Sequence, residues 1–116
     1  MKIGFIGTGN MGGALAVAAA KSGEAEVLLA NRTKAKAEAL AERIGAAVSG
    51  NEMIAEEADH IFLGVKPQMM AGMLEGIAPA LKARKNAPLL ISMAAGLTIQ
   101  RIRELAGGDY PVIRIM

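Results

Sequence analysis

The sequence predicts an α/β fold, a doubly wound and mainly parallel sheet of six strands with helices on both faces. Three observations predict it. Short apolar runs alternate with longer segments of helical character along all 116 residues. One of those runs, His60–Val65, is continuous in hydrophobicity, as a strand covered on both faces should be. The first run ends in Gly7, Gly9 and Gly12, spaced G-x-G-x-x-G, and an alanine-rich helical segment follows at once.

Taken in order, Lys2–Ile6 reads as the first strand and Asn10–Ser22 as the first helix, stopped by Gly23. Glu26–Ala30 is a second strand. Thr33–Ile44 is rich in alanine, lysine and glutamate, with Leu40 and Ile44 on one side; it is a strong helix former ended by Gly45. Ala46–Val48 is a weak third strand, and Asn51–Glu57 a short helical turn. His60–Val65 is the fourth strand and Pro67–Lys82 the helix behind it. Leu89–Met93, Thr98–Leu105 and Pro111–Met116 complete the pattern as strand, helix and strand. Right-handed crossovers make the Rossmann-type order 3-2-1-4-5-6 the default. No internal repeat, low-complexity stretch or linker interrupts this single domain. The last strand runs to Met116 without a cap or polar tail, which favours a fragment of a longer protein over a finished sheet edge.

The glycine spacing carries the chemistry. Gly7 lets the chain turn sharply out of a buried strand. Gly9 lets main-chain N–H groups approach a diphosphate, and Gly12 lets the new helix lie close on the strand it has left. The helix starting near Asn10 then points its unpaired N–H groups and positive dipole end at the phosphates. The spacing alone is weak, since 14 residues are glycine; strand before and helix after make it a dinucleotide fingerprint. A glycine-rich turn that binds nothing is the competing reading.

About twenty residues beyond such a loop, an NAD site places Asp or Glu on the ribose 2′-hydroxyl. Here the second strand ends Asn31-Arg32-Thr33-Lys34. Asn31 brings no charge to repel a 2′-phosphate. Arg32 offers a planar fork of donors and a face that can stack on adenine. Thr33 sits where a helix N-terminus accepts an oxyanion, and Lys34 adds a cation. Singly, Thr33 reads as a helix cap and the cations as solvated. Together at this offset they favour NADP, with NADPH preferred over NADH.

Two further loops leave the carboxyl ends of strands, where open α/β sheets bind ligands. In Gly64-Val65-Lys66-Pro67-Gln68, Pro67 suits a first helical position and Lys66 would project toward the cofactor side. A surface lysine ahead of a proline-started helix explains it equally well. In Ser92-Met93-Ala94-Ala95-Gly96, small residues would let a nicotinamide ring lie near main chain, or would simply make a tight turn; Thr98 then caps the next helix.

Composition sets the outer bounds. Hydrophobic residues are 53% and charged residues 21%, a globular profile, while aromatics are only 3%. The eight methionines are expected to fill core and domain contacts. With no cysteine there are no disulfides, thiolate metal sites or cysteine nucleophiles. One histidine, His60, and scattered carboxylates make no ligand spacing, so no metal is expected. His60 is expected to open its strand and Tyr110 to serve a turn, so no acid–base catalyst is assigned to this chain. A net charge of +2 without a Lys/Arg block is too mild to argue for nucleic acid, so no such partner is expected, and no apolar run has the length of a membrane span.

The blocks Ile3–Met11, Gly64–Gln68, Ser92–Ile99 and Val112–Met116 together resemble the N-terminal half of Δ1-pyrroline-5-carboxylate reductases, over the whole chain. The V-K-P-Q and A-A-G-x-T-I blocks are more diagnostic of that resemblance than the glycine loop. The resemblance implies NAD(P)H-dependent reduction of a cyclic imine, 1-pyrroline-5-carboxylate, to L-proline in the cytoplasm. It implies cofactor contacts from Ile6, Gly7, Thr8, Gly9, Asn10, Met11, Gly12, Asn31, Arg32, Thr33, Lys34, Asn51, Gly64, Val65, Lys66, Pro67, Met93, Ala94 and Ala95. It further implies that the substrate site and the homo-oligomer interface belong to a C-terminal helical domain beyond Met116, so that this chain holds cofactor without turnover. Two other readings are a coenzyme-F420-dependent NADP oxidoreductase, against which the lysine–proline and A-A-G blocks argue, and a nucleotide-binding module with no chemistry.

Overall fold

Alternating apolar runs and helical segments assemble into one six-stranded sheet, described over residues 1–115 of the computed structural model, with side chains at all of these but Asn10 and Met11. The elements are β1 (Lys2–Ile6), α1 (Asn10–Ser22), β2 (Glu26–Ala30), α2 (Lys34–Ile44), β3 (Ala47–Val48) and α3 (Asn51–Glu57). They continue with β4 (His60–Leu63), α4 (Pro67–Lys82), β5 (Leu89–Ser92), α5 (Ile99–Ala106) and β6 (Val112–Arg114). The order is β3-β2-β1-β4-β5-β6 with every described pairing parallel, as the crossover argument requires.

Because side chains alternate along a strand, each face of the sheet buries its own set. Ile6, Leu28, Ile61, Leu63 and Leu90 meet α3, α4 and α5 through Ile54, Met70, Leu74, Ile77 and Ile102. Phe5, Val27 and Leu29 meet Ala16 of α1 and Ala37 and Ala41 of α2. Alanine on these two helices lets them lie close to the sheet. Phe5 and Phe62, paired in register across β1 and β4, stack with centroids 4.5 Å apart at 13°. Arg84, just past α4, ties this face of the fold together. Its guanidinium donates to the carbonyls of Ala55 and Ala58 at the end of α3 (2.9 and 2.5 Å) and of Asn86 (3.0 Å).

The structure trims several expected ends. The fourth strand stops at Leu63 rather than Val65, because the Gly64 main chain lies against Gly7 and the chain turns off to start α4. The fifth stops at Ser92 rather than Met93, and α2 starts at Lys34 with Thr33 in the capping position. Thr98 caps α5 through its hydroxyl, which accepts from the Arg101 N–H at 3.0 Å. The last strand covers Val112–Arg114; the Met116 end of the expected strand lies outside the described residues. Met70 and Met93 are buried, but Met53 and Met69 are 50% and 41% exposed, so methionine is not only a core filler here.

Candidate functional site

Three loops leave the carboxyl ends of β1, β4 and β5 side by side. Ladder bonds hold them in step: Gly7 N–H donates to Ala30 O (2.8 Å), Gly64 N–H to Ile6 O (2.8 Å) and Met93 N–H to Leu63 O (3.2 Å). Gly7 takes φ +92°, a backbone that other residues rarely adopt, and this turns the chain out of the sheet. A Cβ on Gly12 would lie 2.7 Å from the Gly7 carbonyl oxygen, so the first turn of α1 sits directly on that loop. Gly9 is different. A Cβ there would meet nothing within 4 Å, so no protein neighbour demands the glycine. Space is open in front of a thirteen-residue helix whose first N–H groups lack intrahelical acceptors.

Thr8 lies in the same loop, and its buried Oγ1 has no hydrogen-bond partner. Its N–H donates to Asn31 Oδ1 at 3.4 Å, while Asn31 Nδ2 donates to the Thr33 carbonyl at 3.2 Å. Asn31 therefore joins the glycine loop to the start of α2 with both ends of one amide. Thr33 accepts from the N–H groups of Lys36 and Ala37 through its carbonyl, but its hydroxyl makes no capping bond. The simple cap reading of Thr33 is thus not realised, and its hydroxyl is exposed beside Lys34.

The three cations after β2 diverge. Arg32 lines a cleft of about 420 Å³ with Ile6, Gly7, Asn31, Asn51, Val65 and the α4 residues Gln68, Met69, Gly72 and Met73. Lys36 lines a cleft of about 530 Å³ with Thr8, Gly9, Gly13 and Ala14. Lys34 lines a third, about 370 Å³, with Asn31, Val48, Ser49 and Gly50. Sequence reading missed Lys36, although it stands one helical turn past Thr33 and shares its face. It also missed Met69, Gly72 and Met73, whose i, i+3, i+4 spacing was visible but not the side of α4 that opens on the cleft.

Lys66 and Pro67 are exposed at the start of α4, with Lys66 in the capping position. Met93 and Ala94 are buried and Ala95 is exposed. His60 opens β4, at the end of the sheet away from these loops, and Tyr110 is a buried core residue whose carbonyl accepts from Arg103 Nε at 2.8 Å. Among the described residues no three His, Cys, Asp or Glu side chains gather as a metal site, and no helix is long and apolar enough to cross a membrane. An open helix start, an unpartnered hydroxyl and several cations, without a base or nucleophile among them, suit a ligand that brings phosphates and its own chemistry.

Comparison with known proteins agrees with that geometry. Residues 2–96 match the family described as NADP oxidoreductase, coenzyme F420-dependent. A protein of Escherichia coli named pyrroline-5-carboxylate reductase is 37% identical over 99% of this chain and 43% of its own length. A Corynebacterium melassecola protein of the same name is 33% identical over 98% of this chain and 43% of its own. The crystal structure of Plasmodium falciparum pyrroline carboxylate reductase with NADP bound superposes with a TM-score of 0.78 at 29% identity, covering 98% of this chain and 41% of that one. The chain thus spans less than half the length of these relatives.

Proposed function

The chain belongs to the NADP oxidoreductase, coenzyme F420-dependent, family, and from that premise we propose that it is the cofactor-holding part of a pyrroline-5-carboxylate reductase. The family match ends at residue 96 and speaks for the nucleotide-binding architecture. The relatives that align along almost the whole chain bear the reductase name, which supports that substrate over a deazaflavin. The single observation that carries the reading is the Gly9 opening at the start of α1 beside the unpartnered Thr8 hydroxyl.

NADPH, when bound, supplies a hydride for the imine carbon. The residues of this chain bind and orient. The loop from Ile6 to Gly12 offers main-chain N–H groups to the diphosphate. Arg32, Asn51 and Val65 border the cleft for adenine, with Met69 and Met73 as its apolar wall. A 2′-phosphate is assigned to the strand end at Asn31, which adds no negative charge, with the exposed Thr33 beside it, between the cleft that Lys36 shares with Thr8 and the cleft that Lys34 shares with Asn31. Gly64, Lys66, Pro67, Ala94 and Ala95 form the rim toward the nicotinamide. The chain covers 43% of the length of its reductase relatives, which supports the reading that their substrate binding and oligomer assembly draw on the remainder.

Calorimetric titration tests the cofactor half: NADPH should bind more tightly than NADH, and equal affinity would overturn the 2′-phosphate assignment. Assay of the 116-residue chain with 1-pyrroline-5-carboxylate and NADPH tests the division of labour. No turnover is expected, and a chimera joining this chain to the C-terminal part of the Escherichia coli relative should restore it. Steady turnover by the chain alone would place the substrate site here.

A further inference from the structure

The side chain of Met93 turns inward, toward Gly12 and Gly64. Met93 is only 8% exposed. Its Cε sits 2.7 Å from where a Cβ on Gly64 would be and 3.6 Å from where one on Gly12 would be. The Gly7 carbonyl oxygen approaches both positions as well, at 2.7 Å each. One thioether methyl from the β5 loop therefore fills the space beneath the β4 loop and the first turn of α1. An unbranched side chain with three rotatable bonds suits such an irregular gap.

We propose that Met93 is a positioning residue for the diphosphate loop, acting through Gly12 and Gly64, and that only its main chain belongs to the nicotinamide side. The inference rests on the cofactor reading above. By filling the gap, the methyl fixes the height of the first N–H groups of α1 relative to the β5 loop. The spacing between the two halves of a bound dinucleotide is set by this contact.

Two measurements test it. Leucine nearly conserves the volume of methionine but ends one atom short, so Met93→Leu removes the terminal methyl while leaving a filled core. NADPH and NADH should each bind Met93→Leu severalfold more weakly, and by the same factor because they share the diphosphate, while the thermal midpoint stays near wild type because the core remains filled. In the wild-type chain labelled at methionine methyls, the Met93 signal should shift on adding 2′-phospho-ADP-ribose, which has the diphosphate and no nicotinamide. A Met93 signal that moves with NADPH but not with this probe would make the side chain a nicotinamide contact and overturn the proposal. So would wild-type affinity in Met93→Leu. Failure of the wild-type chain to bind either compound would instead overturn the cofactor reading on which the proposal stands.

Discussion

The carbonyl oxygen of Gly7 and the α-carbon of Gly64 meet with no room for a side chain between them: a Cβ on Gly64 would lie 2.7 Å from that oxygen. The contact locks the turn after β1 to the turn after β4, so close approach requires glycine in both loops, and at Gly7 the φ of +92° requires it as well. Gly64→Ala should destabilise the fold by about 1–3 kcal/mol, the usual scale of overpacking, and should lower affinity for NADPH and NADH together. Thermal unfolding and titration of both cofactors check this; a stable variant with unaltered binding would show that the loops separate freely.

Asn31 uses its carbonyl oxygen toward Thr8 N–H and its amide nitrogen toward the Thr33 carbonyl. Aspartate keeps the acceptor and loses the donor, and it sets a negative charge where a 2′-phosphate would lie. Asn31→Asp should shift the ratio of NADPH to NADH affinity toward NADH by about 1–2 kcal/mol, roughly five- to thirtyfold. An unchanged ratio would move the 2′-phosphate away from this strand end.

Arg32 and Lys36 line different clefts, and their removal should read differently. Arg32→Ala should weaken both cofactors, by about 0.5–2 kcal/mol, as loss of a cationic face over adenine does. Lys36→Ala should weaken NADPH by about 1–3 kcal/mol, the scale of a charge-assisted hydrogen bond, and leave NADH near wild type. Titration of each variant with both cofactors checks the pair; loss of NADPH alone in Arg32→Ala would return the phosphate to Arg32.

Arg84 serves the fold and not the loops. Its guanidinium satisfies the Ala55 and Ala58 carbonyls at the end of α3, which α3 itself leaves open. Arg84→Ala should cost about 1–3 kcal/mol of stability, read as a lower thermal midpoint, with cofactor affinity per folded molecule unchanged.

What the sequence by itself determined was local or repetitive. The strand and helix alternation and the sharp turn at Gly7 follow from composition and steric exclusion acting within a few residues, and the sheet order from a crossover handedness that every strand–helix–strand unit repeats. Thr98 as a cap is the same kind of inference, since donor and acceptor are three residues apart. Tertiary structure alone decided the matters that depend on loops distant in sequence meeting at one end of the sheet. It separated Arg32 and Lys34, which the sequence presents as one basic cluster, into two clefts and brought Lys36 to a third, because neighbouring positions on a strand end and a first helical turn point in different directions. It also turned the Met93 side chain inward under Gly12 and Gly64, a choice made by the shape of a gap that three separate segments create together.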